Sequence, residues 1–217
     1  MPTATLEEYL ESIYRLSGDG AAVRPTQIAD AVGVSGPTVT ATLRRLQAQG
    51  FIVRDGTSVV LTPTGRERAV DIVRRHRVAE SFLVDTLGLG WDVVHEEACL
   101  LEHALSPRVI DALEAFLGNP SECPHGHPIP GADGSVPADE PGHPLCDVPI
   151  GATASVLRVS EDDELVLGYL GSLGLRPGEK VNVIEVAPFQ GPLTVEVRGV
   201  RTAIAREIAA LVTVAVI

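Results

Sequence analysis

The sequence predicts a mainly α-helical chain that opens with a winged helix-turn-helix, continues as a helical domain and ends in a small β-barrel. Three observations predict this class. Apolar residues recur at helical spacing through most of residues 5–117, and a short helix, a glycine turn and a longer helix occur early within that stretch. Short β-branched runs dominate residues 150–217, after a segment rich in proline and glycine.

The first three predicted helices form the helix-turn-helix. Residues 5–16 have an amphipathic pattern that glycines at 18 and 20 end. Residues 26–31 form a short helix, and a turn containing Gly33 leads to Ser35, which caps a longer helix over residues 37–49. A short helix joined to a longer one by such a turn is the arrangement that places its second helix in a DNA groove.

The next elements complete the head and begin the body of the protein. Residues 51–53 and 59–61 are apolar runs on either side of a polar turn, which predicts a β-hairpin wing. Long helical patterns then cover residues 65–87, 93–105 and 108–117. These patterns predict a domain boundary near residue 64, with a helical domain over residues 65–140.

The last third of the sequence changes character. Residues 118–149 are rich in proline and glycine, which predicts an extended linker. Four β-branched runs follow, and they predict the strands of the barrel over residues 150–217. The runs are residues 154–159, 180–186, 193–197 and 213–217.

Charge separates the two ends of the chain. The formal net charge is −12, but residues 1–77 contain 10 of the 17 basic residues and 8 of the 29 acidic ones. The head therefore carries +2 and the remainder −14, a division that suits DNA contact at one end and cation binding elsewhere. Because the head is only weakly basic, we expect two copies to bind DNA together.

Composition also indicates a compartment. No apolar run reaches the roughly 20 residues that span a bilayer, and acidic residues stand where a signal peptide has basic ones. The three cysteines at 99, 123 and 146 cannot all pair, and no CxxC motif occurs. We therefore expect a cytoplasmic protein with reduced thiols and no membrane partner.

The second helix of the head offers small side chains to DNA. These residues lack a long bidentate group, so we expect contacts with thymine methyls and phosphates. Three arginines are candidates for further phosphate contacts. The predicted DNA-binding residues are Ser35, Pro37, Thr38, Thr40, Arg44, Arg45 and Arg54. A winged helix used for protein contact is the alternative.

One helical stripe offers metal-binding groups. In the segment VHEEACLLEH, His95, Cys99, Glu102 and His103 follow at i, i+4, i+7 and i+8, and therefore share a face. Imidazole, thiolate and carboxylate together suit a divalent first-row transition metal. On the preceding helix, His76 and Glu80 are also spaced i, i+4.

Five motifs in order resemble the diphtheria toxin repressor family, the iron- and manganese-dependent bacterial transcriptional regulators. The motifs are SGPTVTATLRRL (35–46), LTPTGR (61–66), RRHRVAESFL (74–83), VHEEACLLEH (94–103) and PHGHPIPG (124–131). The resemblance extends more weakly to the C-terminus, where it implies an SH3-like fold for the barrel. The chain is nearer the manganese-responsive branch.

The resemblance implies two metal sites per subunit. The regulatory site falls on Glu8, Cys99, Glu102 and His103. The second site falls on His76, Glu80 and His95. Glu11 is a further candidate at the first site, and Glu161 and Glu164 are weaker candidates at the second. The segment CPHGH offers Cys123, His125 and His127, but it resembles the linker of the family and we do not count it among the ligands.

The resemblance also indicates the metal. The iron-responsive members have a methionine where this chain has Glu8, and an anionic oxygen favours Mn²⁺. The manganese-responsive branch has a glutamate where this chain has Cys99, so the donor set is a hybrid. We expect Mn²⁺, with Fe²⁺ as the alternative.

The expected function is a homodimeric, metal-activated repressor of manganese or iron uptake genes that binds a palindromic operator and takes no small organic substrate. Metal would fix the first helix, which carries Glu8, to the helical domain. Two alternatives stay open at this point. A helical dimetal carboxylate–histidine site could be an enzyme, although no nucleophile or acid–base pair accompanies it. The SH3-like domain could instead be a module that binds a peptide or a protein partner.

Overall fold

Helices come first and strands last along the chain, in a computed structural model that describes residues 3–18, 20–138, 140–160 and 163–217. The chain forms two compact units. The first unit comprises Met1–His76, Glu102–Pro107 and Pro130–Val136. The second comprises Arg77–Leu101, Arg108–Ile129 and Pro137–Ile217. No helix within the described ranges is long and apolar enough to cross a bilayer.

The first unit contains the winged helix-turn-helix, as the sequence predicts. Its elements are α1 (Ala4–Ser17), α2 (Pro25–Val32), α3 (Gly36–Ala48), β1 (Ile52–Asp55), β2 (Ser58–Leu61) and the first part of α4 (Pro63–Asp85). Proline lies in the first turn of both α2 and α3, where its missing N–H is not needed. Gly33 ends α2 with φ +68°, a left-handed conformation that glycine adopts without strain.

The apolar stripes of the three helices meet in one core. Leu6, Leu10 and Ile13 of α1 are buried together with Ile28 of α2 and Leu43 of α3. The wing closes this core from one side, because β1 and β2 pair in antiparallel register and turn at Gly56-Thr57. This packing fixes the direction of α3 relative to α1 within the unit.

The second unit combines helices with an antiparallel sheet. Its helical part contains the rest of α4, most of α5 (Val94–Glu102) and α6 (Pro107–Phe116). Its remaining elements are β3 (His143–Pro144), β4 (Thr153–Val159), α7 (Glu164–Ser172), β5 (Lys180–Val186), β6 (Leu193–Val197), β7 (Val200–Ile204), α8 (Arg206–Ala209) and β8 (Val212–Val216). The six strands pair in the order β3-β8-β4-β5-β6-β7.

The strand pattern of the C-terminal domain is confirmed, with additions that the sequence analysis did not include. Residues 180–186 and 193–197 are the strands expected, and together with β4 and β8 they bury alternate valines. Among the described residues the strands pair in an open order from β3 to β7, and β3 does not pair with β7 to close a barrel. Helix α7 was missed because its run of leucine and valine also suits a strand.

The side chain of Asp163 decides that run in favour of a helix. It accepts hydrogen bonds from the N–H groups of Leu165 (2.9 Å) and Val166 (3.2 Å), which are first-turn donors without an intrahelical partner. Strand β7 was also missed, because its charged and polar side chains are mostly exposed and hide the alternation. The N-terminal cap thus determines that α7 is a helix, and the edge position of β7 explains why its strand lacks an alternating apolar pattern.

The segment predicted as an extended linker is not simply exposed. Residues 118–142 contain no helix or strand longer than a single bridge in their described part, which agrees with their proline and glycine content. Cys123, His125 and Ile129 are nevertheless buried, and Leu145 and Val148 join the core of the sheet. This segment is therefore part of the packed second unit around those residues.

Candidate metal centre and nucleic-acid interface

A buried cluster of donor groups lies in the first unit. Glu11 of α1, His76 of α4 and Glu102 each offer one donor atom, and these atoms all lie within 4.8 Å of one another. The three residues are 8%, 0% and 1% exposed. Two carboxylates and one imidazole in this arrangement are a donor set that Mn²⁺ or Fe²⁺ accepts, so the residues fit a divalent cation.

Hydrogen bonds hold Glu102 in this cluster. His76 Nδ1 lies 2.7 Å from Glu102 Oε2, and the guanidinium of Arg75 donates to the backbone carbonyl of Glu102 at 2.9 Å. Burial raises the pKa of Glu102; the hydrogen bond with His76 opposes this rise, and the negative charge of Glu11 adds to it. The cluster thus contains a carboxylate whose charge the protein alone does not fully compensate.

The structure reveals a carboxylate that sequence reasoning missed. Glu7 is buried, and its Oε2 lies 2.9 Å from His103 Nδ1. Its other oxygen accepts a hydrogen bond from Arg68 and lies 3.6 Å from the guanidinium of Arg75. Burial alone would raise the pKa of Glu7, but these hydrogen bonds and positive charges lower it below its usual value.

A signal for Glu7 was present in the sequence. Glu7 and Glu11 are spaced i, i+4 and therefore lie on the same side of α1. The residues of α1 predicted from the sequence as ligands are Glu8 and Glu11. In the structure, the carboxylate of Glu7 on the first helix is the hydrogen-bond partner of His103 Nδ1.

Glu8 lies beside this network on α1 and is exposed. Desolvation raises the pKa of its carboxyl group, the nearby charge of His103 lowers it, and the charge of Glu11 raises it. Three of the residues predicted for the regulatory site, Glu8, Glu102 and His103, thus belong to the first unit together with Glu11. Cys99 belongs to the second unit.

The second unit holds another series of donor groups. Glu80 is fully buried on α4, and its Oε1 lies 3.4 Å from His95 Nδ1. His95 Nε2 in turn lies 3.7 Å from Cys99 Sγ. The structure therefore brings together Glu80 and His95, two of the residues predicted for the second site. His76, the third, contributes to the cluster of the first unit described above.

Two other predictions concern the start of α7. Glu164 is exposed in the first turn of that helix. Glu161 lies outside the described residues. Cys123 and His125, which the sequence analysis set aside, are buried beside Glu80 in the second unit.

The face expected to contact DNA is exposed. Ser35 is at the N-cap position of α3, and its hydroxyl lies 2.9 Å from that of Thr38 instead of binding a backbone N–H of the first turn. Thr40 is half-buried and donates to the carbonyl of Gly36 at 2.9 Å. The remaining predicted contacts, Pro37, Arg44, Arg45 and Arg54, are also exposed. The first unit thus presents one small, hydroxyl-bearing helix end with arginines nearby.

Comparison with known proteins accounts for nearly the whole chain. Residues 1–58 match the profile described as iron-dependent repressor, N-terminal DNA binding domain, and residues 62–131 match the iron-dependent repressor metal binding and dimerisation domain. Residues 143–216 match the FeoA domain. The chain belongs to the iron-dependent repressor family.

Curated relatives of this family align along most of the chain. The iron-dependent repressor IdeR of Mycobacterium tuberculosis is 36% identical over 200 residues, which are 86% of each chain. The diphtheria toxin repressor of Corynebacterium diphtheriae is 34% identical over 192 residues, 83% of this chain and 84% of that protein.

Solved structures of the iron-dependent repressor family have the same fold. A manganese-dependent transcriptional repressor in complex with manganese is 36% identical, with a TM-score of 0.89 over 98% of this chain and 100% of that chain. ScaR with bound Cd²⁺ is 31% identical, with a TM-score of 0.83 over the full length of both chains. The resemblance inferred from the five motifs is thereby confirmed.

Proposed function

We propose that this chain is a repressor that binds a palindromic operator of manganese or iron uptake genes when a divalent metal is bound. Its family is one of metal-dependent, DNA-binding transcriptional repressors, and the enzyme alternative is rejected on that ground. The observation that carries the proposal is the buried cluster of Glu11, His76 and Glu102, which lies in the same unit as the exposed end of α3.

The regulatory metal would be held in the first unit by Glu8, Glu11, His76, Glu102 and His103. When bound, the cation would neutralise the negative charge of the carboxylates in this cluster. Cys99 stays a predicted ligand on the family resemblance, as do Glu80 and His95 for a second site. The proposed parts of the chain are residues 1–64 for DNA, 65–140 for metal and dimerisation, and 150–217 for the SH3-like domain.

The residues of the first unit explain how metal binding could control α3. Glu8 and Glu11 lie on α1, whose apolar side packs in the same core as α3. Without a cation, the charges of Glu8, Glu11 and Glu102 repel one another, and this repulsion loosens α1. Holding the three carboxylates together fixes α1, and through the shared core it fixes α3. Metal affinity and operator affinity must then rise together.

We propose Mn²⁺ as the physiological metal, with Fe²⁺ as the alternative. The cluster of the first unit contains oxygen and imidazole donors without a thioether, and carboxylate oxygen suits Mn²⁺. The relatives include iron-dependent repressors as well as manganese-dependent ones, so both ions belong in the experiment. The proposed stoichiometry for these sites is two metals per subunit.

Exposed apolar side chains of the second unit support a homodimer. Leu87, Leu100, Val109 and Phe116 are 56%, 75%, 42% and 69% exposed, although each lies in or just after a helix. A soluble protein rarely leaves such side chains in contact with water unless a partner covers them. In a two-fold dimer, two copies of α3 would bind the two halves of a palindrome. As a DNA-binding repressor, the protein would act in the cytoplasm.

The test is operator binding titrated with metal under anaerobic conditions. The probe is a fluorescent duplex selected from a random pool by the manganese-loaded protein. We expect Mn²⁺ to raise DNA affinity by a factor on the order of 5 to 150. Glu8→Ala and Glu11→Gln should each remove most of this gain, whereas Glu67→Gln, an exposed change on α4, should retain it. Equal affinity with and without metal in the unaltered protein would contradict the proposal.

A further inference from the structure

We propose that Arg15 competes with the regulatory metal for the carboxylate of Glu11, and so sets the metal concentration at which the protein responds. This inference rests on the proposed function, because it concerns the same cluster of Glu11, His76 and Glu102. It adds a residue that is not a ligand and that lowers the metal affinity of the site. All four residues belong to the first unit.

The side chain of Arg15 binds Glu11 along the surface of α1. The two residues are spaced i, i+4, so their side chains lie on the same face of the helix. Arg15 Nη2 donates to Glu11 Oε1 at 2.7 Å, and Arg15 Nε donates to the same oxygen at 3.1 Å. Hydrogen bonds between two charged groups are stronger than those between neutral groups. One of the proposed metal ligands is therefore bound to a positive charge of the protein itself.

The burial of Glu11 strengthens this ion pair. The side chain of Glu11 is 10% exposed, and that of Arg15 is 23% exposed. An ion pair on the open surface is screened by water and contributes little, whereas a pair with a buried anion keeps more of its attraction. A metal ion that binds Glu11 must either displace the guanidinium or bind beside it and be repelled. Both routes lower the metal affinity.

The charge of Arg15 also reduces the repulsion that a metal would relieve. Burial raises the pKa of both Glu8 and Glu102, and the negative charge of Glu11 adds to each rise. The charge of Glu11 thus acts on the other carboxylates of the cluster, and a guanidinium bound to Glu11 weakens this effect. Because the carboxylates then repel one another less without metal, the binding of a dication stabilises the protein less.

Two other arginines near the cluster engage different groups. Arg68 and Arg75 lie close to the carboxylate of Glu7, and Arg75 donates to the backbone carbonyl of Glu102. These contacts hold the first helix and the chain at Glu102 in place. Arg15 differs from them because its partner is a carboxylate of the proposed ligand set.

The position of Arg15 allows it to leave Glu11 without disturbing the fold. Arg15 lies in the last turn of α1, and its side chain is long and partly exposed. A guanidinium at such a position can turn into water and remain hydrated. Arg75, by contrast, is only 5% exposed. Arg15 is therefore suited to be a reversible competitor, which a bound metal displaces and which returns when the metal leaves.

The experiment compares variants of Arg15 that differ in charge. Arg15→Gln and Arg15→Met remove the charge, and Arg15→Lys retains it. Arg66→Gln is the matched control, because Arg66 is an exposed arginine whose guanidinium lies over the ring of Tyr14 on α1, 5.2 Å from its centroid. The Mn²⁺ affinity of the full-length protein without DNA is measured by electron paramagnetic resonance of the free ion. Urea unfolding is measured with and without saturating Mn²⁺, and circular dichroism reports whether each variant is folded.

The expected result is tighter metal binding by the neutral variants. Arg15→Gln and Arg15→Met should bind Mn²⁺ on the order of 10-fold more tightly, whereas Arg15→Lys and Arg66→Gln should stay within about twofold of the unaltered protein. Without metal, Arg15→Gln should unfold at a lower urea concentration, and it should gain more stability from Mn²⁺ than the unaltered protein gains. A residue with a merely structural role would lower stability equally in both conditions.

The possible failures of the two proposals are distinguishable. Equal or weaker Mn²⁺ binding by the neutral variants, together with Mn²⁺ binding by the unaltered protein, overturns the competition and leaves the proposed function intact. Weaker binding by Arg15→Lys as well would make Arg15 a residue that orients Glu11, which also overturns the competition. An unaltered protein that binds no Mn²⁺ contradicts the proposed function, and this inference fails with it.

Discussion

The buried donor clusters of the two units compensate charge in different ways. In the first unit, carboxylates converge, and arginines bind two of them. Arg68 binds Glu7, which also lies near Arg75, and Arg15 binds Glu11 at 2.7 Å, whereas burial raises the pKa of Glu102. In the second unit, the single carboxylate of Glu80 faces an imidazole on two sides. Surplus negative charge makes the first cluster sensitive to a cation, whereas the second has softer donors and a smaller charge imbalance.

The largest expected effect comes from removing the uncompensated charge of the first unit. Glu102→Gln should abolish the gain in operator affinity on adding Mn²⁺, a loss on the order of 5- to 150-fold. The same change should raise the free energy of unfolding of the metal-free protein at neutral pH. Because burial raises the pKa of Glu102, the folded state holds its proton more tightly than the unfolded chain, and ionisation destabilises the fold.

Fluorescence anisotropy and urea unfolding measure the two consequences of Glu102→Gln separately. The expected result is a more stable metal-free protein that no longer responds to metal. A variant that retains the full manganese response would show that the compensation argument is wrong.

The compensated carboxylate should behave in the opposite way. Glu7→Gln leaves Arg68, Arg75 and His103 without their anion, and we expect it to lower the free energy of unfolding by about 3 kcal/mol. The pKa of Glu7 is lowered in the folded state, so its contribution is present above the unfolded pKa and is lost as pH falls through the folded value. Denaturation from pH 7 down into the acid range should show a larger loss of stability in the unaltered protein than in Glu7→Gln.

Glu67→Gln is the control for Glu7→Gln, because it removes an exposed carboxylate from the same unit. It should leave the free energy of unfolding within about 0.5 kcal/mol of the unaltered value. Equal stabilities for the two variants would contradict the assignment of Glu7 as the anion that holds His103.

A change in the second unit should separate assembly from metal binding. Leu100→Asp replaces an apolar side chain that is 75% exposed, and it should weaken the dimer by about 2 kcal/mol per copy. Analytical ultracentrifugation measures the shift toward monomer. The first-unit metal cluster should still bind Mn²⁺ in the monomer, and an unchanged dimer would exclude Leu100 from the interface.

The smallest effect on DNA affinity is expected at the edge of the protein surface that binds DNA. Arg44→Ala should weaken binding about equally for all DNA sequences and reduce the slope of log affinity against log salt concentration by about one. Manganese affinity in the absence of DNA should not change. A salt slope equal to that of the unaltered protein would mean that Arg44 does not contact phosphate.

Motifs with fixed spacing could be predicted from the sequence, whereas contacts between distant segments could not. The helix-turn-helix, the wing and the stripe containing Glu102 follow from local patterns. Glu7 was missed because its partners, Arg68 and His103, are 61 and 96 residues away. Cys123 and His125 were not counted as ligands because the composition of residues 118–149 indicates a linker. Composition does not reveal that the turn at Gly126 packs this segment closely against β4.

The start of α3 has a consequence for how the protein's gene targets evolve. Its hydroxyls are already engaged by one another or by the helix, as in the contacts of Ser35 with Thr38 and of Thr40 with Gly36. A helix end that offers methyl groups and few free donors distinguishes bases only weakly, and the shape of the DNA then carries more of the recognition. We expect promoters to enter or leave this regulon through one or two base changes, without any change in the protein.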